Sequence, residues 1–214
     1  MLNTIRDLFR TFDYALWYYL NTEWHNYIQD AIMPFVRNQW TWAPLYLFLL
    51  LFMTMNYKRR GWMWCLIFLL TFAISDYLSA SVIKPLFARV RPCNNEMLAS
   101  YVHNIVPCGS GASFPSSHAA NHFALGVFMA MTLHKRVKGI WWMAMTWAVL
   151  VGYAQVYVGV HFPMDVICGG MLGAGAGIFT GRLFNYFYGL DKKLKPVLAT
   201  NQQGADDTGT HSGV

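Results

Sequence analysis

Five apolar stretches of bilayer-crossing length follow one another through the chain, at about residues 40–57, 61–83, 114–133, 139–160 and 162–188. A transmembrane helix needs roughly 17–25 mostly apolar residues. Lipid offers the backbone no hydrogen bonds, so each stretch has to satisfy its own as a helix. The chain is therefore expected to be all-α: a polytopic membrane helix bundle with about five transmembrane helices. Charged residues make up only 12% of the 214 and hydrophobic ones 56%, against roughly a quarter charged in a soluble domain.

The remaining segments read differently. In residues 1–38, Arg6, Asp7, Arg10, Asp13, Glu23 and Asp30 interrupt the apolar residues too often for a span. Leu2, Ile5, Leu8, Phe9 and Phe12 recur at helical spacing, and Trp17, Tyr18 and Tyr19 suit a headgroup boundary. An amphipathic helix lying on the outer membrane surface is expected, although the first dozen residues read equally well as a soluble helical leader. A cleavable signal is not expected, because its basic n-region and small-residue cleavage site are missing. Residues 39–190 form the membrane-embedded core, and the polar stretch 191–214 reads as a disordered cytoplasmic tail.

The net charge of +6 does not point to nucleic acid, because the bases stand in short clusters beside apolar runs. Lys58-Arg59-Arg60, Lys135-Arg136-Lys138 and Lys192-Lys193-Lys195 have the form of cytoplasmic flanks. That assignment puts three other polar segments together on the opposite side, facing the periplasm or exterior. They are KPLFARVRP with Lys84 and Arg91, FPSSHAAN with Ser116, Ser117 and His118, and AQVYVGVHFPMD with His161 and Asp165. Polar groups at a membrane boundary are costly and usually functional.

Each segment has an ordinary reading and a chemical one. Lys84 and Arg91 are seven apart and would share a side if helical; alone they are equally snorkelling anchors, and Arg89 reads as an interfacial base. Ser116 or Ser117 suits an N-cap, whose helix start exposes N–H groups able to hold phosphate oxygens. His118 then stands in the first turn, while His122 reads as a packed histidine. His161 and Asp165, four apart, would face each other along a helix. The carboxylate could orient the imidazole as a nucleophile, form a plain structural pair, or help to bind a metal, for which the usual ligand spacings are absent.

At these residues the chain resembles the type 2 phosphatidic acid phosphatase family of integral-membrane lipid phosphatases. The family's first motif, Lys-six residues-Arg-Pro, matches at Lys84, Arg91 and Pro92. The second, Pro-Ser-Gly-His, matches at Pro115, Ser116 and His118, with Ser117 in place of glycine. In the third, His161 and Asp165 match, while Ala154 and Gln155 stand where serine and arginine are expected. The resemblance implies metal-independent, cofactor-free phosphoryl transfer: His161 attacks phosphorus, Asp165 orients it, and His118 protonates the leaving group. Lys84, Arg91, Ser116, Ser117 and Gln155 would hold the phosphate. The implied partner is a membrane lipid phosphate, with no obligate protein partner. Undecaprenyl diphosphate is the first expectation, phosphatidylglycerophosphate and lipid A are the alternatives, and a non-catalytic lipid-phosphate binder or transporter is the reading from another class.

Two further expectations concern the same region. Cys93 and Cys108 fall in one outward loop and would meet an oxidising compartment, where they either pair or stay as thiols; Cys65 and Cys168 lie in spans. Asp76 lies inside the second span and needs a partner, for which Lys84 is the candidate.

Overall fold

The computed structural model describes residues 2–191, and all the regular structure in them is helical. The order is α1 (Leu2–Tyr18), α2 (Tyr27–Arg37), α3 (Ala43–Asp76), α4 (Lys84–Phe87), α5 (Ser117–Leu133), α6 (Ile140–Tyr157) and α7 (Pro163–Phe187). The tail expected to be disordered lies almost wholly outside the described residues. By length and hydropathy, two helical stretches are long and apolar enough to cross a membrane, Gln39–Asn94 and Pro163–Phe187.

The first of these is a hairpin. At Lys58 the backbone leaves helical geometry (φ 49°, ψ −128°). Beyond it the chain runs back antiparallel: Gly61 lies against the Met53 carbonyl, Cys65 Sγ reaches Leu50 O at 3.6 Å, and Tyr46 and Phe68 meet at 6.2 Å. Residues 43–57 and 61–76 are therefore separate arms of α3. The second arm continues through a π-helical stretch, Tyr77–Ile83, into α4.

α5 sits at the centre, against α3, α6 and α7. Its tightest contact is with α7, and glycine makes it so. Gly169, Gly173 and Gly177 lie against the carbonyl oxygens of Ser116, Ala120 and Ala124, and a Cβ at any of them would collide with the facing backbone. Small residues at four-residue spacing let helices approach this closely in an apolar medium. Trp64, Phe68, Phe128 and Phe184 fill the space beside this seam. Buried polar groups pair between helices, Trp64 Nε1 donating to Thr132 Oγ1 and Thr71 Oγ1 to Thr180 Oγ1, both at 2.8 Å. The outward surface is apolar instead, with Phe48, Trp62, Leu66, Trp142 and Phe179 exposed.

The N-terminal segment departs from a single surface helix. It is two helices joined by a π-helical turn, Tyr19–Glu23. Leu8 and Phe12 are exposed, as an amphipathic face requires, but Trp17, Asp13 and Asn21 are buried. Trp17 is no boundary anchor; it meets Phe162 edge-on at 5.9 Å. Asn21 Nδ2 donates to Tyr157 O at 2.6 Å and His103 O at 3.0 Å. α2 lies across the end of α6, where Asp30 accepts from Tyr157 OH at 2.6 Å. These polar residues interrupt the amphipathic pattern because they hold the segment onto the bundle.

The two ends of the bundle differ in charge. Arg60 and Arg136 meet at one end through Leu190 O and Asp191. Lys84, Arg91, His118 and His161 gather at the other.

Candidate active site

α6 stops where Gly159 adopts φ 80°, a conformation that favours glycine. The Gln155 carbonyl then accepts the N–H groups of Val160 (3.3 Å) and His161 (3.2 Å). Pro163 opens α7 at a position where its missing N–H costs nothing, and Asp165 falls in the first turn. His161 and Asp165 are thus on either side of a helix start and do not share a helical face. The pair forms because Asp165 turns back: its Oδ2 accepts from Phe162 N at 2.9 Å and lies 3.6 Å from His161 Nδ1. His161 is buried, and its Nε2 makes no hydrogen bond among the described residues.

The Asp165 carboxylate is the junction of the site. Ser113 Oγ donates to Oδ2, and Arg89 Nη1 donates to Oδ1 at 2.7 Å. The other Arg89 nitrogen reaches Asp13 Oδ2 at 2.6 Å, Asp13 Oδ1 caps Met164 N at 2.8 Å, and the guanidinium lies 4.0 Å over the Phe162 ring. Arg89 is therefore no interfacial base. Burial works against its charge, but Asp165 and Asp13 outweigh that and raise its pKa. Ser113, Arg89 and Asp13 are supporting residues that motif spacing missed. The only signals for them were a second arginine inside KPLFARVRP and an acidic residue in an otherwise aromatic stretch.

The FPSSH turn is tied to the backbone of the same residue. Ser116 N donates to Asp165 O at 2.9 Å, and Ser116 Oγ caps Ala119 N at 3.3 Å. The Ser117 and His118 N–H groups, at the helix start, have no intrahelical partner. Ser117 is helical and outside the positive-φ set, so glycine's absence there brings no backbone strain. Its hydroxyl takes a bond from Ser79 at 3.0 Å. His122 is packed, with Nδ1 on His118 O at 2.8 Å and its ring against Trp147. A cavity of about 340 Å³ opens beside His118, lined by Trp40, Leu69, Phe72 and Leu125 with Asp76 and Asn121. Asp76 accepts from Asn121 Nδ2 at 2.9 Å; Lys84, the expected partner, is within electrostatic reach of it but forms no close ion pair with it among the described residues. The amide comes from the neighbouring helix, one turn below His118.

Lys84 and Arg91 do not share a helix. α4 ends at Phe87, where Ala88 takes φ 43°, and the loop that follows carries Arg91. Arg91 Nε donates to Gly111 O at 2.8 Å, beside the Cys93–Cys108 disulfide, whose Cα atoms are 5.9 Å apart. Lys84 and Arg91 nevertheless both lie within electrostatic reach of His161 and Asp165. Gln155 is buried, and neither polar atom of its side-chain amide has a partner among the described residues. Two cations and two imidazoles lie within electrostatic reach of one another beside a helix start, a set suited to holding a phosphoryl group and transferring it.

The family model of the PAP2 superfamily matches residues 62–188, the stretch that carries all three motifs. The chain belongs to the PAP2 superfamily. It is a membrane lipid phosphatase of that superfamily, a hydrolase, as the resemblance led one to expect. It is 31% identical to the lipid A 4'-phosphatase of Bacteroides thetaiotaomicron over 166 residues, 76% of this chain and 71% of that protein. It is 32% identical to the undecaprenyl-diphosphatase of Sulfolobus acidocaldarius over 148 residues, 68% of this chain and 66% of that one. Its fold is that of the transmembrane PAP2-type phosphatidylglycerolphosphate phosphatase from Bacillus subtilis. The TM-score is 0.69, with 24% identity, 84% of this chain and 88% of the other.

Proposed function

We propose that this PAP2 phosphatase releases the terminal phosphate of a membrane lipid through a phosphohistidine on His161, with undecaprenyl diphosphate as the first substrate. The observation that carries the mechanism is the state of His161: Nδ1 faces Asp165, and Nε2 is left without a partner beside two cations. Nε2 attacks phosphorus and the bond to the leaving oxygen breaks, with His118 giving that oxygen a proton. Water then attacks phosphorus, giving a proton to His118, and the P–N bond breaks, returning its electron pair to His161 Nε2 and releasing phosphate. Asp165 stabilises the charged imidazole. Lys84, Arg91 and the N–H groups at the start of α5 hold the equatorial oxygens, where transition-state charge develops.

Five spans fit this reading, because the α3 hairpin makes two passes of the stretch Gln39–Asn94 and α5, α6 and α7 make three. α1 and α2 then lie at the outer boundary. With Arg60 and Arg136 at the far end, the positive-inside rule turns the site to the periplasm or exterior. The cavity beside His118 would take the first part of a lipid chain.

For undecaprenyl diphosphate the argument is chemical as well as comparative: its leaving group is a phosphate, which needs less help than an alkoxide. The similarity to a lipid A 4'-phosphatase over 76% of this chain favours a second reading, a phosphomonoester lipid. A series with undecaprenyl diphosphate, lipid A, phosphatidylglycerophosphate and phosphatidic acid, on purified protein without added metal, decides between them by kcat/KM. Labelled phosphate should be trapped as an acid-labile, base-stable adduct and be lost in His161→Ala. Label retained by that variant would place the nucleophile elsewhere.

A further inference from the structure

Arg37 ends α2, a position where a basic side chain ordinarily bonds the last carbonyls. Here those carbonyls are already satisfied: Phe35 O accepts Thr41 Oγ1 at 2.7 Å and Asn38 N at 3.2 Å, and Val36 O accepts Trp42 Nε1 at 2.9 Å. The guanidinium makes no hydrogen bond or ion pair among the described residues, and its Nε is buried without a partner. Arg37 as a whole is half-buried, and a cation with an unpaired buried nitrogen is costly unless something else completes it.

What surrounds Arg37 says what that is. The segment just after it lines the cavity that holds Ser117 and His118, through Gln39, Trp40 and Ala43. Arg37 is within electrostatic reach of both His118 and Arg91. Burial, and then the Arg91 charge, hold its pKa below the usual guanidinium value. Asp165 acts on Arg91, but Arg37 has no ion pair among the described residues, and two arginines that repel each other beside an imidazole are arranged for an anion. The third motif meanwhile carries Gln155 in place of an arginine.

We propose that Arg37 is a third cationic ligand of the transferred phosphoryl group, supplying from α2 the guanidinium absent at position 155. This rests on the phosphatase reading but not on which lipid is the substrate. With Arg37 in place the grip on phosphate no longer depends on an easy leaving group, so phosphomonoester lipids come within reach of the same site.

The test compares wild type, Arg37→Gln and Arg37→Lys, purified as full chains in detergent. Three quantities are read: kcat/KM on undecaprenyl diphosphate and on lipid A, inhibition by orthovanadate, and Tm. A ligand role predicts that Arg37→Gln loses roughly tenfold or more in both kcat/KM and orthovanadate affinity, with Arg37→Lys intermediate. Tm should hold or rise, because the substitution removes a repulsion and no bond. Unchanged kcat/KM and orthovanadate affinity in Arg37→Gln would overturn the proposal, and so would a Tm that falls together with activity. Wild-type protein inactive on both lipids would count against the reading of substrate and mechanism instead; orthovanadate binding, followed by thermal shift, would then decide the role of Arg37 alone.

Discussion

Arg89→Ala tests the junction that holds the site together. The guanidinium bridges Asp165 and Asp13 at 2.7 and 2.6 Å, and the two carboxylate side chains are 0% and 3% exposed. Removing one partner of a buried ion pair costs about 3–5 kcal/mol, because the other charge is left behind. Neither carboxylate is stripped bare, however. Asp165 keeps Ser113 Oγ and Phe162 N, and Asp13 keeps Met164 N. The Arg89 side chain is also 25% exposed, so water can enter the space it leaves. The low end, about 3 kcal/mol, is therefore expected, or a fall in Tm of about 6–12 °C at ~2–4 °C per kcal/mol. With Oδ1 released, Asp165 no longer fixes His161, and kcat should drop about tenfold or more even where the protein is folded. Thermal unfolding in detergent and steady-state phosphate release on the same preparation measure both. A double-mutant cycle with Asp165→Asn should give a coupling of more than ~1 kcal/mol. A Tm change under about 2 °C with unaltered kcat would refute the idea that this bridge positions the pair.

Gly173→Val should be among the most damaging single substitutions, since its branched side chain would meet the Ala120 carbonyl at the α5–α7 seam; overpacking costs ~1–3 kcal/mol or more, and near-normal yield and Tm would show that the helices can part. Alkylation of the intact, unreduced protein should modify Cys65 and Cys168 alone, and reducing the Cys93–Cys108 bridge should cost about 3 kcal/mol for a loop of its length; four modified cysteines would deny the bridge. Burial opposes ionisation of Asp30, but hydrogen bonds from Tyr157 and His103 hold its pKa below the usual value. Its contribution is therefore present above the ordinary carboxylate pKa near ~4 and is lost as pH falls through the folded value. The Tm difference between wild type and Asp30→Asn should accordingly be largest at neutral pH and shrink in acid, and a difference that grows in acid would contradict it.

Spacing singled out Lys84, Arg91, Ser116, His118, His161 and Asp165, which the structure brings to one end of the bundle. It also gave the two arms of α3 and the starts of α5 and α7, where apolar length and turn residues agree. Periodicity misled where chain direction changes within a few residues. His161–Asp165 and Lys84–Arg91 were both given helical geometry, yet each pair straddles a helix end. Arg89, Asp13 and Ser113 were out of reach for another reason: each acts through a partner far away in the sequence, and no local pattern reports a long-range contact. For Asp76 the expected cation, Lys84, is within electrostatic reach, but the direct hydrogen bond comes from an amide on the neighbouring helix.

Asp13 contacts both Met164 N and Arg89, so the first helix of the chain helps to cap the last. During synthesis, α1 leaves the ribosome long before α7 exists. The carboxylate at Asp13 must therefore wait, exposed, until some 150 further residues have been made and inserted. His161 gains its oriented partner only in that final docking step. A partly inserted chain would carry the cationic loop and the FPSSH turn without an oriented His161, so among the described elements the proposed site is completed last.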